Sequence, residues 1–127
     1  MYQNTGTIES VLLEKMGSNQ PSVVMVLGGI NDNARQLPLG DTLAAMQHLE
    51  DAMTARGIRT VWITEPTWLA EPFLSLQNAT NAWMMSRPFH QDCAPVTKSA
   101  PGGGTIDGFH PNGPSSVALA RCIDGVS

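Results

Sequence analysis

Apolar positions along this chain follow first a helical period and then a continuous one. Ile8, Leu12 and Met16 recur every fourth residue, with Thr5 and Thr7 ahead and Gly17 behind, which predicts a helix over 8–16 with one core-facing stripe. Val23-Val24-Met25-Val26-Leu27 is an unbroken apolar run between Pro21 and Gly28. Such a run predicts a strand covered on both faces, as in parallel sheets. Asp41 then caps a helix reaching about Arg56, striped by Leu43, Met46, Leu49 and Met53 and ended by Gly57. Arg59-Thr60-Val61-Trp62-Ile63-Thr64 is β-branched and aromatic, a second strand that Pro66 stops.

The second half is less periodic. Residues 74–85 predict a helix and 92–104 a loop, with a short strand at Ala94-Pro95-Val96-Thr97 and a flexible run at Gly102-Gly103-Gly104. Pro114 opens a last helix over 115–123. This alternation predicts an α/β fold of three layers, a short parallel sheet between helices, in one domain spanning 1–127. Functional groups in such sheets gather at the carboxyl ends of the strands.

Composition narrows the picture. The 127 residues suffice for one domain, and 42% apolar content excludes intrinsic disorder. No stretch approaches the roughly 18 consecutive apolar residues of a membrane span. A net charge of -4 repels a phosphate backbone, so nucleic acid is disfavoured as a partner. Cys93 and Cys122 belong to no CxxC pair and cannot form a cysteine-only zinc site. They read either as two buried thiols or as a disulfide clamping a long loop to the last helix, which would imply a periplasmic or extracellular setting. Met1 to Thr5 is polar and shows no charged-then-apolar leader, so the compartment stays open.

Candidate chemistry sits at two places. In Gly28-Gly29-Ile30-Asn31-Asp32, directly after the first strand, the glycines allow an abrupt turn and Asn31 presents an amide donor at the strand's carboxyl end. The same residues also suit a plain turn. In Asp107-Gly108-Phe109-His110-Pro111, an aspartate three residues before a histidine can curl onto the imidazole, orient it and stabilise its protonated form. Two solvated loop residues are the alternative.

Taken together, these segments resemble two conserved blocks of the SGNH (GDSL-type) hydrolases. Gly29-Ile30-Asn31-Asp32 is similar to the GxND block and Asp107-Gly108-Phe109-His110-Pro111 to the DxxHP block, while Gly6 resembles the glycine of the second block. The resemblance implies a flavodoxin-like α/β/α topology and a serine ester hydrolase needing no cofactor. Its substrates would be acyl or acetyl esters of sugars or lipids. His110 would be the general base, Asp107 its orienting partner, and Asn31 with the Gly6 amide would hold the oxyanion. The departure is at the nucleophile: no Gly-Asp-Ser occurs in the sequence and only five residues precede Gly6. Ser10 follows the glycine on a helix, and Ser115 and Ser116 fit helix capping. The chain therefore reads as an SGNH-like domain lacking the family's first strand, which leaves the strand Val23 to Leu27 as an edge. A homo-oligomer or another chain is expected to cover that edge.

Two other functions compete. One is a non-catalytic SGNH-like binding or assembly module. The other is a carbohydrate-cleaving enzyme using Glu65 and Glu71, paired carboxylates flanking Trp68. Trp68, Leu69 and Phe73 follow a strand and suit an apolar acyl or sugar contact, whereas Trp62, Trp83, Met84 and Met85 read as core. His48 reads as solvated and His90 as a loop residue. A metal set of His90, Asp92 and His110 lacks the helical spacing of a zinc motif, so no metal is expected.

Overall fold

A computed structural model describes residues 5–28, 32–33, 35–68, 70–107 and 110–125. The elements run α1 (Thr5–Met16), β1 (Val23–Val26), α2 (Leu39–Ala55), β2 (Arg59–Ile63), α3 (Phe73–Met85), β3 (His90–Gln91), α4 (Ala94–Lys98) and α5 (Gly113–Asp124). The three strands form one sheet in the order β1-β2-β3, and both pairings are parallel. The register sets Val26 beside Trp62 and Trp62 beside His90.

Alternation along β2 builds the layers. Trp62 points into a core with Met46, Leu49 and Met53 of α2, Met84 of α3 and Met16 of α1. Val61 and Ile63 point the other way, onto Cys93 and onto Leu119, Cys122 and Ile123 of α5. This period of two gives the helix/sheet/helix sandwich expected from the sequence. The first face is the heavier. Trp62 is fully buried with its ring edge-on to Trp83, centroids 5.1 Å apart, and its indole N–H donates to Glu50 Oε2 at 2.8 Å. Arg87 Nε donates to the same carboxylate at 3.1 Å, and its guanidinium lies over the Trp83 ring. Burial alone would raise the Glu50 pKa; the hydrogen bonds from Arg87 and Trp62 outweigh it and hold the carboxyl below its usual value.

Several boundaries differ from expectation, each for a local reason. The first helix begins at Thr5 rather than Ile8. The second begins at Leu39, because Pro38 takes the cap position and accepts the N–H groups of Asp41 and Thr42, so Asp41 lies in the first turn. A carboxylate there suits the helix dipole. Gly57 ends this helix at φ +73°, a conformation that a side chain disfavours. The strand expected at Ala94 to Thr97 is helix α4. Pro95 has no N–H for a sheet ladder and fits a first helical turn, while the Thr97 N–H and hydroxyl both return to the Cys93 carbonyl. The third strand is instead the two-residue β3, from a segment with no apolar period to reveal it. β1 is not covered on both faces: Met25 is 51% exposed, and Leu27, just past the strand, 43%; among the described residues β1 is hydrogen-bonded only to β2. Met85 is also exposed rather than core.

Cys93 and Cys122 form a disulfide with Cα atoms 5.8 Å apart, joining the start of α4 to the last turn of α5. Among the described residues, no helix is long and apolar enough to cross a membrane.

Candidate active site

The glycine run and the first turn of α5 build the site's foundation. Asn112 caps α5 by accepting the Ser115 N–H at 3.2 Å, and its own side-chain amide donates to the Gly102 carbonyl. The fully buried Ser115 hydroxyl accepts the Gly104 N–H at 3.0 Å, and the Asn112 N–H donates to the Gly104 carbonyl. Ser115 therefore does not cap the helix; it anchors the glycine run. That run is a packed corner, not a free loop. A Cβ at Gly103 would stand 2.5 Å from Ser115 Oγ and 2.7 Å from the Ala100 carbonyl oxygen, so the backbones meet there only because Gly103 has no side chain.

From this corner the chain makes a closed turn. Thr105 bridges Pro111, and the Ile106 N–H donates to the His110 carbonyl at 2.9 Å. The turn presents Asp107 and His110 together. Asp107 Oδ1 accepts the His110 backbone N–H and Oδ2 meets His110 Nδ1, both at 2.7 Å. An ionised carboxylate only accepts hydrogen bonds, so Nδ1 carries a proton and donates it to Oδ2. Both side chains are about half exposed, at 53% and 50%.

His110 lines a cavity of about 190 Å³ at the carboxyl ends of β1 and β2. Leu27, just past β1, forms one wall, and Pro66 and Trp68, just past β2, form another. Pro111, from the turn before α5, and Leu119, on α5, close it, and the buried Glu65 also lines it. A larger hollow of about 380 Å³ lies at the amino end of β2 among Glu50, Arg59, Thr60 and Phe89, and shares none of these residues.

The structure thus brings His110 and Trp68 to one pocket, with Asp107 bonded to His110. Asn31 and Leu69 lie outside the described residues. Gly6 is in the first turn of α1. Glu71 is exposed and accepts from the Ser75 hydroxyl at the start of α3, in surroundings unlike those of the buried Glu65. His90 Nδ1 is bonded to the Arg87 carbonyl, and Asp92 accepts from Thr64. Among the described residues, no cluster of three or more His, Cys, Asp or Glu could hold a metal. Leu27, Pro66 and Leu119 belong to none of the motif segments, whereas Pro111 closes the DxxHP-like segment. Leu27 and Pro66 carry the one usable signal, since Leu27 directly follows β1 and Pro66 stands three residues past β2, at the strands' carboxyl ends. Thr64 is a further unannounced support: its hydroxyl accepts the Cys93 and Ala94 N–H groups and donates to Asp92, tying the end of β2 to α4.

No protein-family model matches the sequence, and no curated relative is found for it. Among solved structures, a carbohydrate esterase family 3 protein from Talaromyces cellulolyticus superposes with a TM-score of 0.71 at 16% identity. The chain shares its fold with a carbohydrate esterase. The match covers 95% of this chain and 64% of that one, so this chain spans just under two thirds of the esterase's length. The α/β arrangement with a short parallel sheet agrees with the fold that the SGNH resemblance implies.

Proposed function

We propose that this chain carries the base and oxyanion donors of an SGNH-type serine ester hydrolase acting on small acyl or acetyl esters of sugars or lipids. The observation that supports it most is the Asp107–His110 pair, bonded at 2.7 Å beside an apolar pocket at the carboxyl end of the sheet. In this reading His110 Nε2 takes the proton of a serine hydroxyl as it attacks the ester carbonyl. Asp107 stabilises the resulting imidazolium, and the proton then passes to the leaving alkoxide. Asn31 and the Gly6 amide receive the negative charge on the carbonyl oxygen; removing one such donor typically costs about 100- to 1000-fold. The serine comes from a strand of another chain laid against the edge of β1. Leu27 supports that route, since it continues β1 and is itself a wall of the His110 pocket.

Joining a Gly-Asp-Ser-bearing strand and helix ahead of Tyr2 tests the reading. The extended protein is expected to hydrolyse p-nitrophenyl acetate, and His110→Ala to lower turnover at least about a hundredfold. A folded extended protein without turnover, or turnover indifferent to His110→Ala, overturns it.

A further inference from the structure

We infer that the cavity beside His110 is the acyl side of the ester site, that it takes straight acyl chains of about four to six carbons, and that Trp68 and Leu119 set this limit. The inference rests on the ester-hydrolase reading above and extends it to which half of the ester enters and how long that half can be.

The walls decide the first point. Leu27, Pro66, Trp68, Pro111 and Leu119 offer hydrocarbon and ring faces, and the polar groups at the cavity are His110 and the buried Glu65. A sugar or polyol carries hydroxyls around its rim, and each one stripped of water without a partner costs free energy. An alkyl chain has no such demand and gains from leaving water. The alcohol half of the ester therefore stays outside, and the hydrocarbon half enters with its carbonyl carbon beside the imidazole.

Size decides the second. The cavity measures about 190 Å³. An apolar cavity of about 150 Å³ accommodates benzene, six carbons, and stays dry when empty. The space here holds a chain of similar carbon count and little more. Trp68, half-buried on the segment after β2, and Leu119, on α5, bound the cavity from separate elements. Changing either one resizes it from a different side.

Straight-chain primary amides test this on the chain as it stands, because they carry the acyl group and need no nucleophile. Acetamide, butanamide, hexanamide and octanamide are titrated while the indole N–H of Trp68 is followed by NMR. Affinity is expected to rise about fourfold per added methylene up to hexanamide and to gain nothing further at octanamide. Trp68→Ala, followed at the methyl resonances of Leu27 because the indole is gone, is expected to move the plateau to octanamide or beyond, and Leu119→Phe to move it down to butanamide. A flat series, a rise that continues through octanamide in the unaltered chain, or a Trp68 response to methyl glucoside but to no amide overturns the inference. Those results leave the ester-hydrolase reading to the His110→Ala assay. That reading fails instead if the series behaves as expected and the extended protein turns over no ester of any length.

Discussion

Asp107 receives two hydrogen bonds from His110, one from its backbone N–H and one from its ring Nδ1, each 2.7 Å long. The carboxylate thus holds both the turn that carries the histidine and the tautomer of its ring. Replacing it with asparagine keeps the shape but offers an N–H where an acceptor is needed. In the extended protein, under the proposed function, Asp107→Asn is expected to lower kcat by roughly 100- to 10,000-fold with little change in KM. Steady-state kinetics checks the loss, and ¹⁵N shifts of the His110 ring check the tautomer.

Gly103 is where the backbone of the site is tightest. Its missing Cβ makes room for Ser115 Oγ and the Ala100 carbonyl, and the adjoining Gly104 N–H is bonded to that same hydroxyl. Gly103→Ala is expected to destabilise the protein by about 1–3 kcal/mol, the usual cost of overpacking. It should also broaden the Asp107 and His110 resonances ahead of global unfolding. Gly113→Ala, with nothing within 4 Å of its Cβ, is the control and should leave those resonances sharp.

The sequence shows some parts of this architecture better than others, and the reasons are physical. α1, α2 and β2 announce themselves because burial on one stripe or in one run leaves a period in the residue types. The Asp107–His110 pair is readable because the contact is local, three residues apart. β3 is two residues long and polar, so it leaves no pattern; only its pairing with Trp62 and Ile63 makes it a strand. The glycine run reads as flexible because composition cannot show what Ser115 does from eleven residues away in the chain. The disulfide stayed one of two alternatives for the same reason: Cys93 and Cys122 are 29 residues apart, and only the packing of α4 on α5 brings them together. The pocket walls come from the segments after β1 and β2, the turn at Pro111, and α5, a convergence that belongs to tertiary structure.

That disulfide closes a covalent ring around the turn that carries Asp107 and His110, since both lie between its two cysteines. Loop-closure entropy for a ring of this size corresponds to about 3.5 kcal/mol. The contribution matters here because the second face of the sheet has a small core, with Val61, Ile63 and Cys93 its buried members. The double substitution Cys93→Ser, Cys122→Ser is expected to lower the free energy of unfolding by roughly that amount, measured by urea denaturation. Reducing the native protein with dithiothreitol should reproduce the loss, and reducing the double variant should change nothing.

His48 Nδ1 meets Glu9 Oε2 at 2.6 Å, pinning α1 to α2 one turn beyond Gly6. The hydrogen bond to Glu9, then its negative charge, raise the His48 pKa above the ordinary 6.5. A histidine whose pKa is higher when folded contributes its stabilisation fully below the unfolded value and loses it as pH climbs through the folded one. The gap in Tm between the unaltered protein and His48→Gln should therefore be widest near pH 5.5 and shrink as the pH is raised toward 9. Because the imidazole is exposed, 1 M salt should also narrow the gap at pH 5.5. A gap that is constant with pH, or that grows on the alkaline side, would show that the pair does not carry charge in the folded protein. The attachment of α1 to α2 would then rest on Ile8 and Leu12, which pack against the core.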